Sequence, residues 1–135
     1  MAPLAVHEGD QLGPVELRLD RATLVRYAGA SGDFNPIHWS DAAAAKADLP
    51  GVLAHGMYTM GAAVQVVVDW VGDPGAIAGY EVRFSRPVVV PPVGEAVVQV
   101  TGVVATVADG AAAINLSVTV DGTKVLGKAR VTVRL

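Results

Sequence analysis

The chain has 135 residues, no cysteine and a net charge of −3, with 52% hydrophobic and 17% charged residues. So apolar a chain has ample surface to bury, which excludes intrinsic disorder and points to one core and a single domain over residues 1–135. Without cysteines there are no disulfides, no thiolate catalysis and no cysteine-ligated zinc, and without a basic surplus there is no expected partner in nucleic acid or an anionic membrane.

The opening residues MAPLAVHEGD carry neither the basic nor the apolar region of a secretory leader, and together with the absent cysteines they fit a cytoplasmic location. In VELRLD, Val15, Leu17 and Leu19 alternate with Glu16, Arg18 and Asp20, the period of a strand. Asp20 is placed to cap a helix from about Arg21 to Ala28, whose buried stripe is expected to be Leu24, Val25 and Ala28. The helix is expected to stop near Gly29, and the polar turn GDFNPIHWS follows, Gly32 to Ser40. SDAAAAKADL then reads as a short alanine-rich helix capped by Ser40 and ended by Pro50–Gly51.

The most apolar stretch, Gly56 to Gly72, is interrupted by Gln65 and Asp69 and is too short for a comfortable membrane span. Met57, Met60, Gly61, Val64, Val67, Val68 and Val71 keep helical spacing, and the segment is apolar nearly all round, so the expectation is a helix wrapped on most sides. Strands follow. Tyr80, Val82 and Phe84 alternate with polar neighbours, and EAVVQVTGVVATV is long enough to expect a bulge at Gly102. Ile114, Leu116, Val118 and Val120 form a clean inward face, Asp121–Gly122 is a hairpin signal, and Val131, Val133 and Leu135 are expected to point inward at the end. A helical first half followed by an antiparallel sheet with one apolar face is an α+β fold, the sheet laid around the central helix.

Within the polar turn, Asp33 and His38 are five residues apart, and Pro36 bends the chain because it disfavours the helical conformation at Asn35 and lacks an N–H. Such a bend brings a carboxylate and an imidazole to one small volume, where they can exchange protons near neutrality. The same residues also serve as ordinary turn-formers around a hydrogen-bonded histidine, and spacing alone leaves both readings open. A second feature is AHGM, Ala54 to Met57, at the start of the apolar helix. The first N–H groups of a helix lack internal partners and carry the positive end of its dipole, and Gly56 lets a ligand oxygen approach them, as in an oxyanion hole. His55 is either part of that site or a capping and packing residue. Acid–base pair and helix start together describe proton removal alpha to a carbonyl. His7, His38 and His55 are the only histidines and none is four residues from another, so no metal site is expected. No Gly-x-Ser-x-Gly elbow indicates a serine nucleophile.

The stretch YAGASGDFNPIHWSDAAAAKADLPGVLAHGM, Tyr27 to Met57, resembles the signature of the MaoC-like (R)-specific enoyl-thioester hydratases and dehydratases, which have the hot-dog fold. HGMYTMG, WVGDPGAI and YEVRF look similar to the catalytic β subunit of the actinobacterial (3R)-hydroxyacyl-carrier-protein dehydratases. The resemblance implies a hydro-lyase acting on acyl-coenzyme A or acyl-carrier-protein substrates, with Asp33 and His38 as the catalytic dyad. It also implies Gly56 as the N–H donor to the thioester carbonyl, Asn35 supporting the loop or orienting water, and no cofactor. A homodimer, or a heterodimer with a related hot-dog subunit, is implied as well. Two rivals are a hot-dog thioesterase, for which only Asp69 supplies an acid on the helix, and a non-catalytic partner subunit, which need not keep both Asp33 and His38. Gly61, Ala62 and Ala63 either leave space for an acyl chain or allow close packing. Arg83, Arg86, Lys124, Lys128 and Arg130 either meet a coenzyme A phosphate or acidic carrier, or are solvated strand residues.

Overall fold

The computed structural model describes residues 5–135. Five antiparallel strands make one sheet in the order β1–β3–β4–β5–β2: β1 is Gln11–Leu19, β2 Ile77–Phe84, β3 Ala96–Ala108, β4 Ala111–Val120 and β5 Thr123–Arg134. The sheet curls around helix α3, Gly56–Val71, while helices α1, Arg21–Ser31, and α2, Asp41–Lys46, lie in the connection that precedes it. This is the α+β hot-dog architecture that the sequence pointed to. Among the described residues, no helix is long and apolar enough to cross a membrane.

Local chemistry explains the helix boundaries. The Asp20 carboxylate accepts the Thr23 N–H at 2.8 Å while the Asp20 N–H donates to Thr23 Oγ1 at 3.3 Å, a reciprocal cap. Those hydrogen bonds from Thr23 hold the Asp20 carboxyl below the ordinary carboxylate range. α1 runs past Gly29 to Ser31 and ends at Gly32, whose φ of 75° supplies the left-handed cap. Leu24 and Ala28 are buried as expected, but Val25 is 59% exposed, because α1 touches the core along a narrow stripe. Ser40 caps α2 by accepting the Ala43 N–H, and that helix ends at Lys46, short of Pro50. The Asp121–Gly122 hairpin has both central residues at positive φ, 49° and 78°, so the turn twists with the strands it joins.

α3 spans the expected residues, but of the seven that keep helical spacing only Val67 is buried. Thr59, Ala63, Val66 and Val67 are buried, whereas Met57 and Gly61 are exposed and Met60, Val64, Val68 and Val71 only half-buried. The sheet covers one side of the helix, not most sides. Against that side pack Val98, Val100, Ile114, Val118, Val131 and Val133, all with no exposed surface. Each such side chain contributes roughly 1.5–3 kcal/mol relative to exposure, so the core stands on these strands. Two other expectations need correction. Gly102 is paired in register with Leu12 and Leu116, and the irregularity of β3 lies between Val104 and Thr106 instead. A side chain at Gly102 would meet Leu116, Ile114 and Leu12 at 3.1–3.4 Å, so close packing is what its small size serves. Leu135 lies beyond β5 and is 47% exposed.

Candidate active site

The polar turn begins where Gly32 stops α1. The Asn35 side-chain oxygen accepts the Ile37 N–H at 3.2 Å and so caps a single 3₁₀ turn, Pro36–His38, with proline at its first position. Asp33 Oδ1 accepts the Asn35 N–H at 3.1 Å, which fixes the carboxylate and leaves Oδ2 free. The Trp39 indole donates to the Phe34 carbonyl at 3.0 Å and closes the turn from outside. Asn35 thus caps the turn with its side-chain oxygen.

The segment before α3 meets this turn. The Leu53 N–H donates to the Ile37 carbonyl at 3.1 Å, and the His38 Nδ1 lies 2.7 Å from the Leu53 carbonyl oxygen. A carbonyl can only accept, so Nδ1 carries the proton and a neutral His38 keeps its lone pair on Nε2. His55 is 2% exposed, and its Nε2 lies 3.0 Å from the Asp33 carbonyl oxygen and 3.9 Å from Asp33 Oδ2. Its ring stacks on His38 with centroids 3.8 Å apart and meets the edge of Tyr27 at 4.7 Å. The carboxylate and imidazole of the turn are thus joined by the more distant His55, with one nitrogen or oxygen of each within 4.8 Å of the others. That trio could offer a cation one ligand each. Yet His38 Nδ1 and His55 Nε2 already serve main-chain carbonyls; of the atoms left over, His55 Nδ1 is buried without a partner, while His38 Nε2 and Asp33 Oδ2 suit proton exchange.

Beside the trio lies a cleft of about 420 Å³ whose walls include His38, Leu53, Gly56, Met57, Phe84 and Arg86. Gly56 is the first residue of α3, and the first bond of that helix runs from the Thr59 N–H to the His55 carbonyl. The Gly56 N–H therefore has no helical partner and carries the positive end of the dipole. A side chain at Gly56 would stand 2.9 Å from the Phe84 ring, so glycine keeps the helix start open to the cleft. His38 and Gly56 share this cleft, whereas Asp33, its side chain 53% exposed, sits at the turn outside its walls. His55 does not line it either and underlies Asp33 and His38. Gly61 faces open space and Ala63 is fully buried in the core, so neither borders the cleft. Phe84, which alternates with polar neighbours on β2, is 55% exposed and forms a cleft wall, a role visible only once β2 is placed across the start of α3.

A MaoC like domain matches residues 5–124 of the chain. Among curated proteins, 3-hydroxyacyl-thioester dehydratase X of Mycobacterium tuberculosis is 44% identical over 75 residues, 56% of this chain and 26% of that protein. Fatty acid synthase subunit beta of Saccharomyces cerevisiae is 38% identical over 60 residues, 43% of this chain and 3% of that protein. The matches thus span only part of these longer relatives. Among solved structures, a MaoC-like dehydratase superposes with a TM-score of 0.93 at 39% identity, covering 96% of this chain and 41% of that one. The (R)-hydratase from A. caviae involved in PHA biosynthesis has a TM-score of 0.85 at 21% identity, covering 97% and 98%, and so shares the fold. A family model that covers nearly the whole chain, on a hot-dog sheet carrying this Asp–His turn, places the protein in the MaoC-like domain family.

Proposed function

We propose that the protein catalyses the reversible (R)-specific hydration of trans-2-enoyl thioesters and dehydration of (3R)-hydroxyacyl thioesters, with Asp33 and His38 as the acid–base dyad. The observation that carries this reading is His38 itself. Its Nδ1 is tied to the Leu53 carbonyl, so its Nε2 lone pair is available beside a carboxylate whose Oδ2 is free, at a cleft bordered by the start of α3.

In the hydration direction, water is held between the dyad groups. One of them takes a proton as the water oxygen bonds to C3, and a proton is delivered to C2, so H and OH add across the double bond. The two groups titrate as a coupled pair and are assigned their roles jointly. As the C2=C3 electrons shift, negative charge grows on the thioester oxygen, and the Gly56 N–H donates to it where water is excluded. Asn35 and His55 act on the dyad through the main chain, one by shaping the turn, the other by holding the Asp33 carbonyl, and both are positioning residues in this scheme. The half-buried apolar side of α3 and the open edge of β2 support assembly as a dimer of hot-dog domains, with a second copy or with a related subunit. The ChsH1–ChsH2 complex from M. tuberculosis contains a chain of this fold at 20% identity.

The test is crotonyl-CoA hydration followed by loss of enoyl-thioester absorbance, with chiral analysis of the product. Formation of the (R)-alcohol supports the proposal. Release of free thiol without an alcohol product would replace it with a thioesterase.

A further inference from the structure

Half of the ten cations of this chain gather at one place. Arg83, Lys124, Lys128 and Arg130 line a groove of about 650 Å³ on the sheet, and Arg86 lines the neighbouring cleft beside His38. All five are exposed, and none forms an ion pair among the described residues, whereas Arg18 and Arg21 elsewhere do. Glu81 is the one carboxylate lining the groove, opposite Arg130 in the strand register. Groove and cleft are neighbours, since Leu126 borders both and the Ser85 and Arg86 N–H groups are pinned to the Val125 carbonyl at 3.0 and 3.3 Å.

Edge protection does not explain the cations of β5. Lysines commonly guard open strand edges, but Lys124, Lys128 and Arg130 belong to β5, which is paired on both sides by β4 and β2. Lys128 is held at φ 48° where β5 has one more residue than β2, a bulge of the kind that redirects side chains. Like charges gathered without partners repel one another, and they do so here on a chain that is otherwise acidic, with net charge −3. Such an arrangement gains when an oppositely charged surface covers it.

We propose that this groove docks an acidic protein carrying the thioester, which then extends its substrate past Arg86 into the cleft; the inference rests on the thioester chemistry proposed above. Extent decides between a protein and a nucleotide. Lys124 and Arg130 are six residues apart, roughly 20 Å of strand, a length matched by an acidic helix of about 13 residues. A single nucleotide concentrates its phosphates at one point of such a line, whereas a protein face spreads its carboxylates along it.

The experiment measures binding of a fluorescently labelled small acidic acyl carrier protein, in its phosphopantetheine-bearing form, by anisotropy at low and high salt. Lys124→Glu/Arg130→Glu is expected to raise Kd at least tenfold and to flatten the salt dependence. Turnover of the carrier-free crotonyl N-acetylcysteamine thioester is expected to stay unchanged. Lys124→Gln/Arg130→Gln, with circular dichroism to verify folding, serves where charge reversal disrupts the sheet. Equal binding by wild type and variant, or no binding by wild type, overturns the proposal. So does displacement of the carrier protein by free coenzyme A at the groove, which would make it a nucleotide site. A wild-type protein that binds the carrier in this charge-dependent way but turns over no thioester would leave the docking surface standing and remove the catalytic proposal alone.

Discussion

Asp33→Asn and His38→Ala, made singly and together, interrogate the dyad as a unit. Removing one acid–base group costs about 10²–10⁴-fold in rate, about 2.7–5.4 kcal/mol of barrier. Independent groups would multiply their losses. Here Asp33 and His38 each bring a nitrogen or oxygen within 4.8 Å of the other, and in the proposed scheme they act on one water. The second substitution therefore has little left to remove, and the double variant should fall no further than the worse single one. Asp33→Asn keeps a side-chain oxygen to accept the Asn35 N–H, so the turn survives. His38→Ala leaves the Leu53 carbonyl without its imidazole partner and costs about 1–3 kcal/mol of stability, so assays belong well below its melting temperature. Initial rates of crotonyl-CoA hydration, with circular dichroism on each variant, supply the cycle. A double variant whose loss equals the product of the two singles, or a single variant keeping more than a tenth of wild-type kcat, would refute the coupling argument.

Gly56→Ala places a methyl 2.9 Å from the Phe84 ring; a loss of about tenfold in kcat/KM is expected, and it should shrink in a Phe84→Leu background, where the obstacle is more compliant. Leu24→Ala empties a fully buried position on α1 and should cost about 3 kcal/mol, or roughly 10 °C in Tm by calorimetry; a fall under 2 °C would show that α1 is not anchored through this residue. Tyr80 donates its hydroxyl to the Met60 carbonyl at 2.8 Å, and burial pushes its pKa up to about 12 from 10.0. The native state then holds this proton more firmly than the unfolded chain does, so the contribution of this group is fully present below about pH 10 and is lost between 10 and 12. Denaturant titrations across that window should show the decline in wild type and a weaker one in Tyr80→Phe.

What could be read from the sequence was whatever is encoded by neighbours. The caps at Asp20 and Ser40, the Asp121–Gly122 turn and both ends of α3 depend on residues within one turn of each other, and all appear in the structure. The Asp33–His38 bend was legible for the same reason, its parts lying within six residues. Which face of α3 is buried was not, because a helix apolar all round offers no contrast from which to choose a side. The hold of His55 on the Asp33 carbonyl spans 22 residues, and the Phe84 wall arises from a strand 28 positions beyond Gly56. Such contacts are products of the tertiary fold, and periodicity carries no trace of them. Val25 and Leu135 erred in a related way, since an apolar side chain does not reveal whether anything is opposite it.

The turn from Gly32 to Trp39 is fastened by eleven hydrogen bonds that involve no substrate, some within the turn and others to Ala28, Ser31, Ser40, Leu53 and His55. The conformational entropy of this segment is therefore surrendered when the chain folds, and none is left to surrender when a ligand arrives. Three of the fastenings reach the segment that launches α3, the helix packed into the sheet. Heating consequently offers the loop no early, private melting of its own. Its order should persist up to the temperature at which the sheet itself gives way, and then vanish with it in one transition.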